Sequence, residues 1–259
     1  MNAWKTHASL FVPELPGYGI STRPASANKR EIGFSILEAL EKVLPNATSR
    51  PVYWIAHDRG ARIGHRLLTA PSPPPHVEAA VFIDIVPTLE QWRAFAHPAA
   101  SIAYFHWPFL ATPAAPDIVK AMGGDAFCKM LLARGRGRNE IGASNLEAQG
   151  AYEQYAAIFA RSDAIEGSCA DYADGGVPEC EAQKREQANG VKVKVPLMVI
   201  YSEGSLGMMN DVEAIWPQWV EEGKLETVPV ADGHGHYLPE SADDIVAEKV
   251  IEFIKKQAQ

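Results

Sequence analysis

The sequence has few cysteines, no long hydrophobic run and no excess of positive charge. Its three cysteines, at positions 128, 169 and 180, have spacings that fit no zinc or redox motif, and their odd number argues against a secreted disulfide scaffold. No apolar run approaches the roughly 18 residues that cross a membrane, and residues 1–8 contain no signal-peptide core. We therefore expect a globular, cytoplasmic protein.

The charge balance limits the classes of partner. The chain carries 24 Lys and Arg against 32 Asp and Glu, a net charge of -8 at pH 7. This sign disfavours nucleic acids and membrane surfaces as partners. A metal-ligand cluster and a Gly-rich phosphate loop are both lacking, so we expect no metal and no cofactor. The 259 residues, 47% of them hydrophobic, suffice for one full domain carrying an inserted subdomain.

Short apolar runs alternate with helical patterns in the two end regions of the chain. Five runs are predicted as strands, at 9–14, 51–56, 79–84, 196–201 and 225–230. Pro229 in the last run suits an edge strand. This alternation predicts an α/β fold with a mostly parallel sheet and helices on both faces. The last helix is predicted to begin near Ser241, with Asp244 completing a capping box.

The middle of the chain has a different pattern. Between residues 87 and 190 it is helical and rich in aromatic residues and Ala, with Gly and Pro breaks and no convincing strand. We interpret residues 87–190 as a helical cap inserted into an α/β core formed by residues 1–86 and 191–259.

The strongest local motif is Ala56-His57-Asp58-Arg59-Gly60, where a predicted strand runs into a predicted helix. Small residues two before and two after Asp58 allow a sharp turn that projects its side chain above the sheet, as in a nucleophile elbow. A carboxylate there can attack an sp³ carbon and form an ester that water hydrolyses. The alternative is that Asp58 only caps the helix.

The sequence resembles the α/β-hydrolase superfamily, and within it the haloacetate (fluoroacetate) dehalogenase and epoxide hydrolase group. The matching segments follow the family order over nearly the whole chain. They are PGYGIS (16–21), HDRGARIGHRL (57–67), DIVPT (84–88), AYFHWPF (103–109), GSCADY (167–172) and GHYLPE (235–240). Epoxide hydrolases usually have Trp after the nucleophile, whereas this chain has Arg59 and a second arginine, Arg62.

The resemblance implies a catalytic set. Asp58 would be the nucleophile and His236 the base that activates water, with His234 as its rival. Asp84, after the third predicted strand, would orient the histidine, and Glu203 is the alternative acid. Catalytic groups collect at the carboxyl ends of parallel strands, which favours Asp84.

The resemblance also implies a substrate pocket. Arg59 and Arg62 lie one helical turn apart, so both could hold a substrate carboxylate; the alternative is an ion pair with acidic cap residues. His106, Trp107 and Tyr172 would donate N–H and O–H groups to the departing halide. Without the resemblance, aromatic residues in a helical cap are more often core packing.

The sequence departs from the family pattern at three places. Arg134 stands where the family has a cap Trp, and Glu14 replaces an Asp before the PGYG loop. The family also begins with three strands and a His-Gly loop that completes the oxyanion hole, whereas this sequence starts at what corresponds to the fourth strand. We expect an N-terminally truncated fold, whose sheet must re-pair, recruit another segment or fold poorly.

Three functions follow. The first is hydrolysis of small 2-haloacids. The second is epoxide hydrolysis, with cap tyrosines polarising the ring oxygen; the candidates are Tyr152, Tyr155 and Tyr172. The third is a non-catalytic remnant that binds a ligand or partner. The expected partner is a small-molecule haloacid or epoxide; the resembled group is often homodimeric, and nothing in this sequence marks a dimer face.

Overall fold

The computed structural model describes residues 8–258, apart from the side chain of residue 149. Residues 1–7 lie outside the described residues, and so does most of the segment 1–8, for which no signal-peptide core was predicted. The sheet has four parallel strands in the order β1-β2-β3-β4. They are β1 (Val52–His57), β2 (Val77–Ile83), β3 (Leu197–Ser202) and β4 (Leu225–Val230).

Fifteen α-helices flank and cap this sheet within residues 8–258. The first two, α1 (Lys29–Val43) and α2 (Asp58–Leu68), belong to the core. Nine follow between β2 and β3: α3 (Thr88–Ala94), α4 (Pro98–Ala103), α5 (His106–Leu110), α6 (Ala115–Met122), α7 (Gly124–Gly135), α8 (Glu140–Glu147), α9 (Ala151–Phe159), α10 (Ser162–Asp174) and α11 (Val177–Ala188). The last four are α12 (Leu206–Met209), α13 (Val212–Ile215), α14 (Leu238–Ser241) and α15 (Asp243–Gln257).

Both faces of the sheet are covered, which is why its strands are continuous apolar runs. Ala80 and Phe82 of β2 point to the face covered by α2 and by the buried Trp216. Ala79, Val81 and Ile83 point to the opposite face, where they pack with Val250 of α15. Burying each large side chain of this kind contributes roughly 1.5–3 kcal/mol. The predicted α/β fold class is confirmed.

The prediction of a strand at residues 9–14 is wrong. Pro13 has no N–H to donate to a ladder, and Glu14 turns back to accept the Ile20 N–H at 2.5 Å and, through its main-chain oxygen, the Ser21 hydroxyl at 2.8 Å. This local turn takes the place of strand pairing. Within residues 8–258 the sheet therefore starts at β1, which pairs directly with β2.

The start of the last helix also differs from the prediction. The helix α15 begins at Asp243, and its N-cap residue, Ala242, makes no side-chain cap hydrogen bond. A separate short helix, α14 (Leu238–Ser241), with Pro239 in its first turn, precedes it. Asp244 accepts the N–H of the next residue at 2.8 Å, so the predicted capping box does not form.

The nine helices between β2 and β3 have a small core of their own. Trp107, Leu110, Phe127, Ile165 and Tyr172 are among its buried members. The boundaries 87–190 for the cap stay a prediction. Within residues 8–258, no helix is both long enough and apolar enough to cross a membrane.

Candidate active site

Asp58 lies at the sharp junction between β1 and α2. Its φ of 41° is in the left-handed region, a strained conformation for a residue with a side chain. Gly60 makes the turn possible, because a Cβ there would come within 3.2 Å of the Cβ of Ala56. Trp54 braces the turn by donating its indole N–H to the Gly60 carbonyl at 3.0 Å. The elbow therefore projects Asp58 beyond the carboxyl end of the strand.

His236 and Asp84 meet Asp58 above this end of the sheet. Nδ1 of His236 is 2.7 Å from Oδ2 of Asp84, and Nε2 is 3.8 Å from Oδ2 of Asp58. Oδ1 of Asp84 accepts the Ser202 backbone N–H at 2.7 Å. Since a carboxylate can only accept, Nδ1 carries a proton. The three residues thus form a connected set, with Asp84 fully buried at its base.

The two alternative residues, His234 for the base and Glu203 for the orienting acid, lie elsewhere. The ring of His234 packs beside α8, where a Cβ at Gly142 would come 2.8 Å from its Nδ1. His234 makes no ion pair with Asp58 among the described residues. Glu203 is exposed, and its backbone N–H extends the β3–β4 pairing to Val230 at 3.0 Å; among residues 8–258 it has no hydrogen bond or ion pair to His236.

The pKa values of Asp58 and His236 are shifted in opposite directions. Burial alone would raise the pKa of Asp58, but the neighbouring His236 and the charges of Arg59 and Arg62 hold it well below its ordinary value. Burial would likewise lower the pKa of His236, but Asp58 and Asp84 together raise it to about 10. At neutral pH the site therefore holds an anionic Asp58 beside a cationic His236.

Arg59 and Arg62 flank Asp58 on the side of the cap. Nε of Arg59 is 4.0 Å from Asp58 Oδ2, and Nε of Arg62 is 3.6 Å from Asp58 Oδ1. Arg62 donates Nη1 to the Val86 carbonyl at 2.9 Å. Within the described residues, all three nitrogens of Arg59 and Nε of Arg62 lack a hydrogen-bond acceptor. Buried guanidinium donors without acceptors are costly unless an anion satisfies them.

The three cap residues implied by the resemblance lie together against these arginines. The Arg59 guanidinium lies 3.6 Å from the ring centroid of Tyr172 and 4.8 Å from that of Trp107. The ring of His106 is 5.8 Å from the Tyr172 ring. Burial and the charge of Arg59 lower the pKa of His106 to about 3, so it is a neutral N–H donor at physiological pH.

The cap tyrosines are dispersed. The hydroxyl of Tyr155 donates to Glu240 at 2.5 Å, and that of Tyr152 is buried without a partner among residues 8–258. Only Tyr172, of the three candidates for an epoxide, stacks on an arginine next to Asp58. Arg134 is exposed, donates to the Ile102 carbonyl at 3.2 Å and lies 5.2 Å from the Phe105 ring.

The sequence analysis named no residue behind Arg59, although its alternative of an ion pair with acidic cap residues describes the contact that Arg59 makes with Asp171. Tyr18 donates its hydroxyl to Oδ2 of Asp171 at 2.8 Å, and the same oxygen is 3.2 Å from Nη1 of Arg59. Both residues belong to segments that carry the family resemblance, PGYGIS and GSCADY, which was the signal available. Within residues 8–258, no group of three or more His, Cys, Asp or Glu is arranged to hold a metal ion.

The chain belongs to the α/β-hydrolase family, whose model matches residues 2–241. It is similar to the fluoroacetate dehalogenase of a Burkholderia species, with 28% identity over 252 residues that cover 95% of this chain and 78% of that protein. A solved structure of a candidate epoxide hydrolase from Pseudomonas aeruginosa, a mutant with bound MFA, superposes with a TM-score of 0.80 at 26% identity, covering 95% of this chain and 79% of that one.

A candidate α/β hydrolase from Nostoc sp PCC 7120 also has a TM-score of 0.80, with 26% identity over 93% of this chain and 79% of that chain. Together these matches make the chain a hydrolase of α/β-hydrolase fold.

Proposed function

We propose that this protein is a dehalogenase-like hydrolase of small 2-haloacids. The observation that carries the proposal is that four buried nitrogens of Arg59 and Arg62 lack a hydrogen-bond acceptor among residues 8–258, while the Nε atoms of the two arginines lie 4.0 and 3.6 Å from the Asp58 carboxylate. These donors fit a substrate carboxylate, which would bring the neighbouring α-carbon to Asp58. The alternative, an ion pair with an acidic cap residue, applies to Arg59, whose Nη1 is 3.2 Å from Oδ2 of Asp171. Arg62 has no ion pair with a cap residue among residues 8–258; its carboxylate neighbour is Asp58.

The first step is nucleophilic displacement. An Asp58 oxygen attacks the α-carbon and forms an ester, while the carbon–halogen bond breaks and the halide leaves with its electron pair. His106, Trp107 and Tyr172 donate N–H and O–H groups to the developing halide charge. The low pKa of Asp58 suits this step, because the nucleophile is already ionised.

The second step is hydrolysis of the ester. Once Asp58 is esterified it loses its charge, so His236 keeps only Asp84 as a carboxylate neighbour and its pKa falls from about 10. His236 then releases its proton to solvent and takes one from the water that attacks the ester carbonyl. The bond between the Asp58 carbonyl carbon and the alkyl oxygen breaks, and the departing alkoxide takes the proton of the newly added hydroxyl group. The products are the 2-hydroxyacid, the halide and one proton, and Asp58 is regenerated.

Epoxide hydrolysis is the second candidate function, since it uses the same Asp-His-acid set and one similar structure carries that name. Its weakness is the position of the cap tyrosines, because the Tyr155 hydroxyl is engaged by Glu240. Formation of a diol from styrene oxide, without halide release from haloacids, would favour the epoxide hydrolase over the dehalogenase.

The test is halide release from fluoroacetate and chloroacetate by the purified chain, with Asp58→Asn as the inactive control. In water labelled with ¹⁸O, a single turnover should place the label in the Asp58 carboxylate, since water attacks the ester carbonyl there. Halide release that persists in Asp58→Asn would contradict the mechanism. No release and no diol would support the non-catalytic alternative.

A further inference from the structure

Asp171 forms a charged contact on the side of Arg59 away from the nucleophile. It lies on α10, next to Tyr172, and is 6% exposed. Its Oδ2 receives the Tyr18 hydroxyl at 2.8 Å and lies 3.2 Å from Arg59 Nη1. Burial would raise the pKa of Asp171, but Lys29 and Arg59 keep it below the ordinary value, so the group is an anion.

Asp171 is itself held in place by a buried lysine. Nζ of Lys29, fully buried at the start of α1, is 2.9 Å from Asp171 Oδ1 and donates to the Asp171 main-chain carbonyl at 3.1 Å. The other acids around Lys29 are Glu179 at 3.2 Å and Asp174 at 3.7 Å. With Lys29 on one oxygen and Tyr18 on the other, the Asp171 carboxylate has little freedom to rotate.

Packing alone does not fix the Arg59 guanidinium. The guanidinium lies on the Tyr172 ring and near the Trp107 ring, but Arg59, Tyr18 and Asp171 also line a cavity between the loop at residues 15–27 and α10. Two carboxylates are within 4.0 Å of its nitrogens, Asp58 and Asp171. The balance between them decides whether the guanidinium stays open to a ligand or collapses onto the nucleophile.

We infer that Asp171, anchored by Lys29 and Tyr18, is the positioning residue that holds Arg59 away from Asp58 and open to the substrate carboxylate. This inference rests on the proposed binding role of Arg59. Without Asp171, the guanidinium has Asp58 as its remaining carboxylate partner. It would then pair with the nucleophile and close the carboxylate site.

The test measures binding of acetate, a carboxylate without a leaving group, by calorimetry on the full chain. Asp171→Asn keeps the shape of the side chain and should weaken acetate binding about tenfold, the equivalent of one oriented ion pair. Asp174→Asn is the matched control, because it also removes an acid from Lys29 but makes no ion pair or hydrogen bond with Arg59 in the part of the chain that the structure describes. Its acetate affinity should stay within about twofold of wild type.

A double-mutant cycle separates positioning from a structural role. In an Arg59→Gln background, Asp171→Asn should have almost no further effect on acetate binding, since the residue acts through Arg59. If Asp171→Asn does not fold, Tyr18→Phe decides instead, because it frees Oδ2 while leaving the acid; acetate binding should weaken about two- to threefold.

The outcomes distinguish the inference from the proposed function. Unchanged or tighter acetate binding in Asp171→Asn, an equal loss in Asp174→Asn, or additive effects with Arg59→Gln would each overturn the inference. So would wild-type protein that binds no acetate. Wild-type protein that binds acetate but releases no halide refutes the dehalogenase while the variants still test Asp171.

Discussion

Replacing Asp84 with Asn should separate the two half-reactions of the proposed mechanism. In the wild type, Oδ1 of Asp84 accepts the Ser202 N–H at 2.7 Å, and Oδ2 faces Nδ1 of His236 at 2.7 Å. An amide has one oxygen, which the buried Ser202 N–H requires, so its NH₂ group faces His236. Nδ1 must then accept, and the ring proton moves to Nε2, on the side of Asp58.

The size of the effect follows from this tautomer. With a proton on Nε2, His236 has no lone pair for the hydrolytic water, so the general-base contribution is lost. That contribution is about 10²- to 10⁴-fold in rate, or roughly 3–5 kcal/mol of activation free energy. Displacement of the halide needs no base. Asp84→Asn should therefore release about one halide per chain and then stall as the ester.

The assay is rapid-mixing halide release with chloroacetate, followed by mass spectrometry of the intact protein for an adduct on Asp58. Glu203→Gln is the matched control, since this exposed acid follows the next strand and has no contact with His236 among the described residues; it should turn over normally. Near-wild-type turnover by Asp84→Asn would refute the reasoning. Loss of the initial burst as well would show that Asp84 supports the fold of the site instead.

Three further predictions concern the loop after β4, a buried histidine and the packing beneath the elbow. His236→Gln should trap the same ester, whereas His234→Gln should retain turnover; the reverse result in intact-mass spectra would reassign the base. Burial lowers the pKa of His65 to about 3, while the unfolded chain binds that proton near its ordinary value of about 6.5. Its contribution to the free energy of unfolding is therefore full above pH 6.5 and falls by about 1.4 kcal/mol per pH unit below it. In urea titrations at pH 7.5 and 5.5, His65→Leu should lack this loss of stability. The prediction would be refuted if the variant lost as much stability between the two pH values as the wild type does. Gly64→Ala should destabilise the fold by about 1–3 kcal/mol, because its Cβ would lie 2.5 Å from the Trp54 ring; an unchanged thermal midpoint would contradict this.

The elbow could be predicted because its requirements are local. The turn needs small residues at Ala56 and Gly60, and both are visible in five letters of sequence. The parallel sheet was predictable for a similar reason, since strands buried on both faces must be continuously apolar. The position of Asp84 followed from the end of an apolar run, because carboxyl ends of parallel strands share one edge.

The features that were predicted wrongly or not at all have physical causes as well. The run at residues 9–14 is apolar, but a strand needs a partner ladder, and Glu14 bonds locally to Ile20 instead. The Lys29–Asp171 contact joins residues 142 positions apart, and no short motif encodes such a distance. The last helix begins at Asp243 because a separate short helix, α14, occupies residues 238–241 and packs on α8, a distant contact that the local sequence does not show.

The buried lysine of the core has a consequence for how substrate reaches the site. Lys29 is surrounded by acids of α10 and α11, so lifting these helices away would leave its charge without partners in a region shielded from water. Breaking such a pair costs about 3–5 kcal/mol. We therefore expect α10 and α11 to stay in place as a fixed roof over Arg59 rather than to open as a hinged lid. For the proposed function, a roof that does not lift suits substrates of a few heavy atoms, such as the small 2-haloacids.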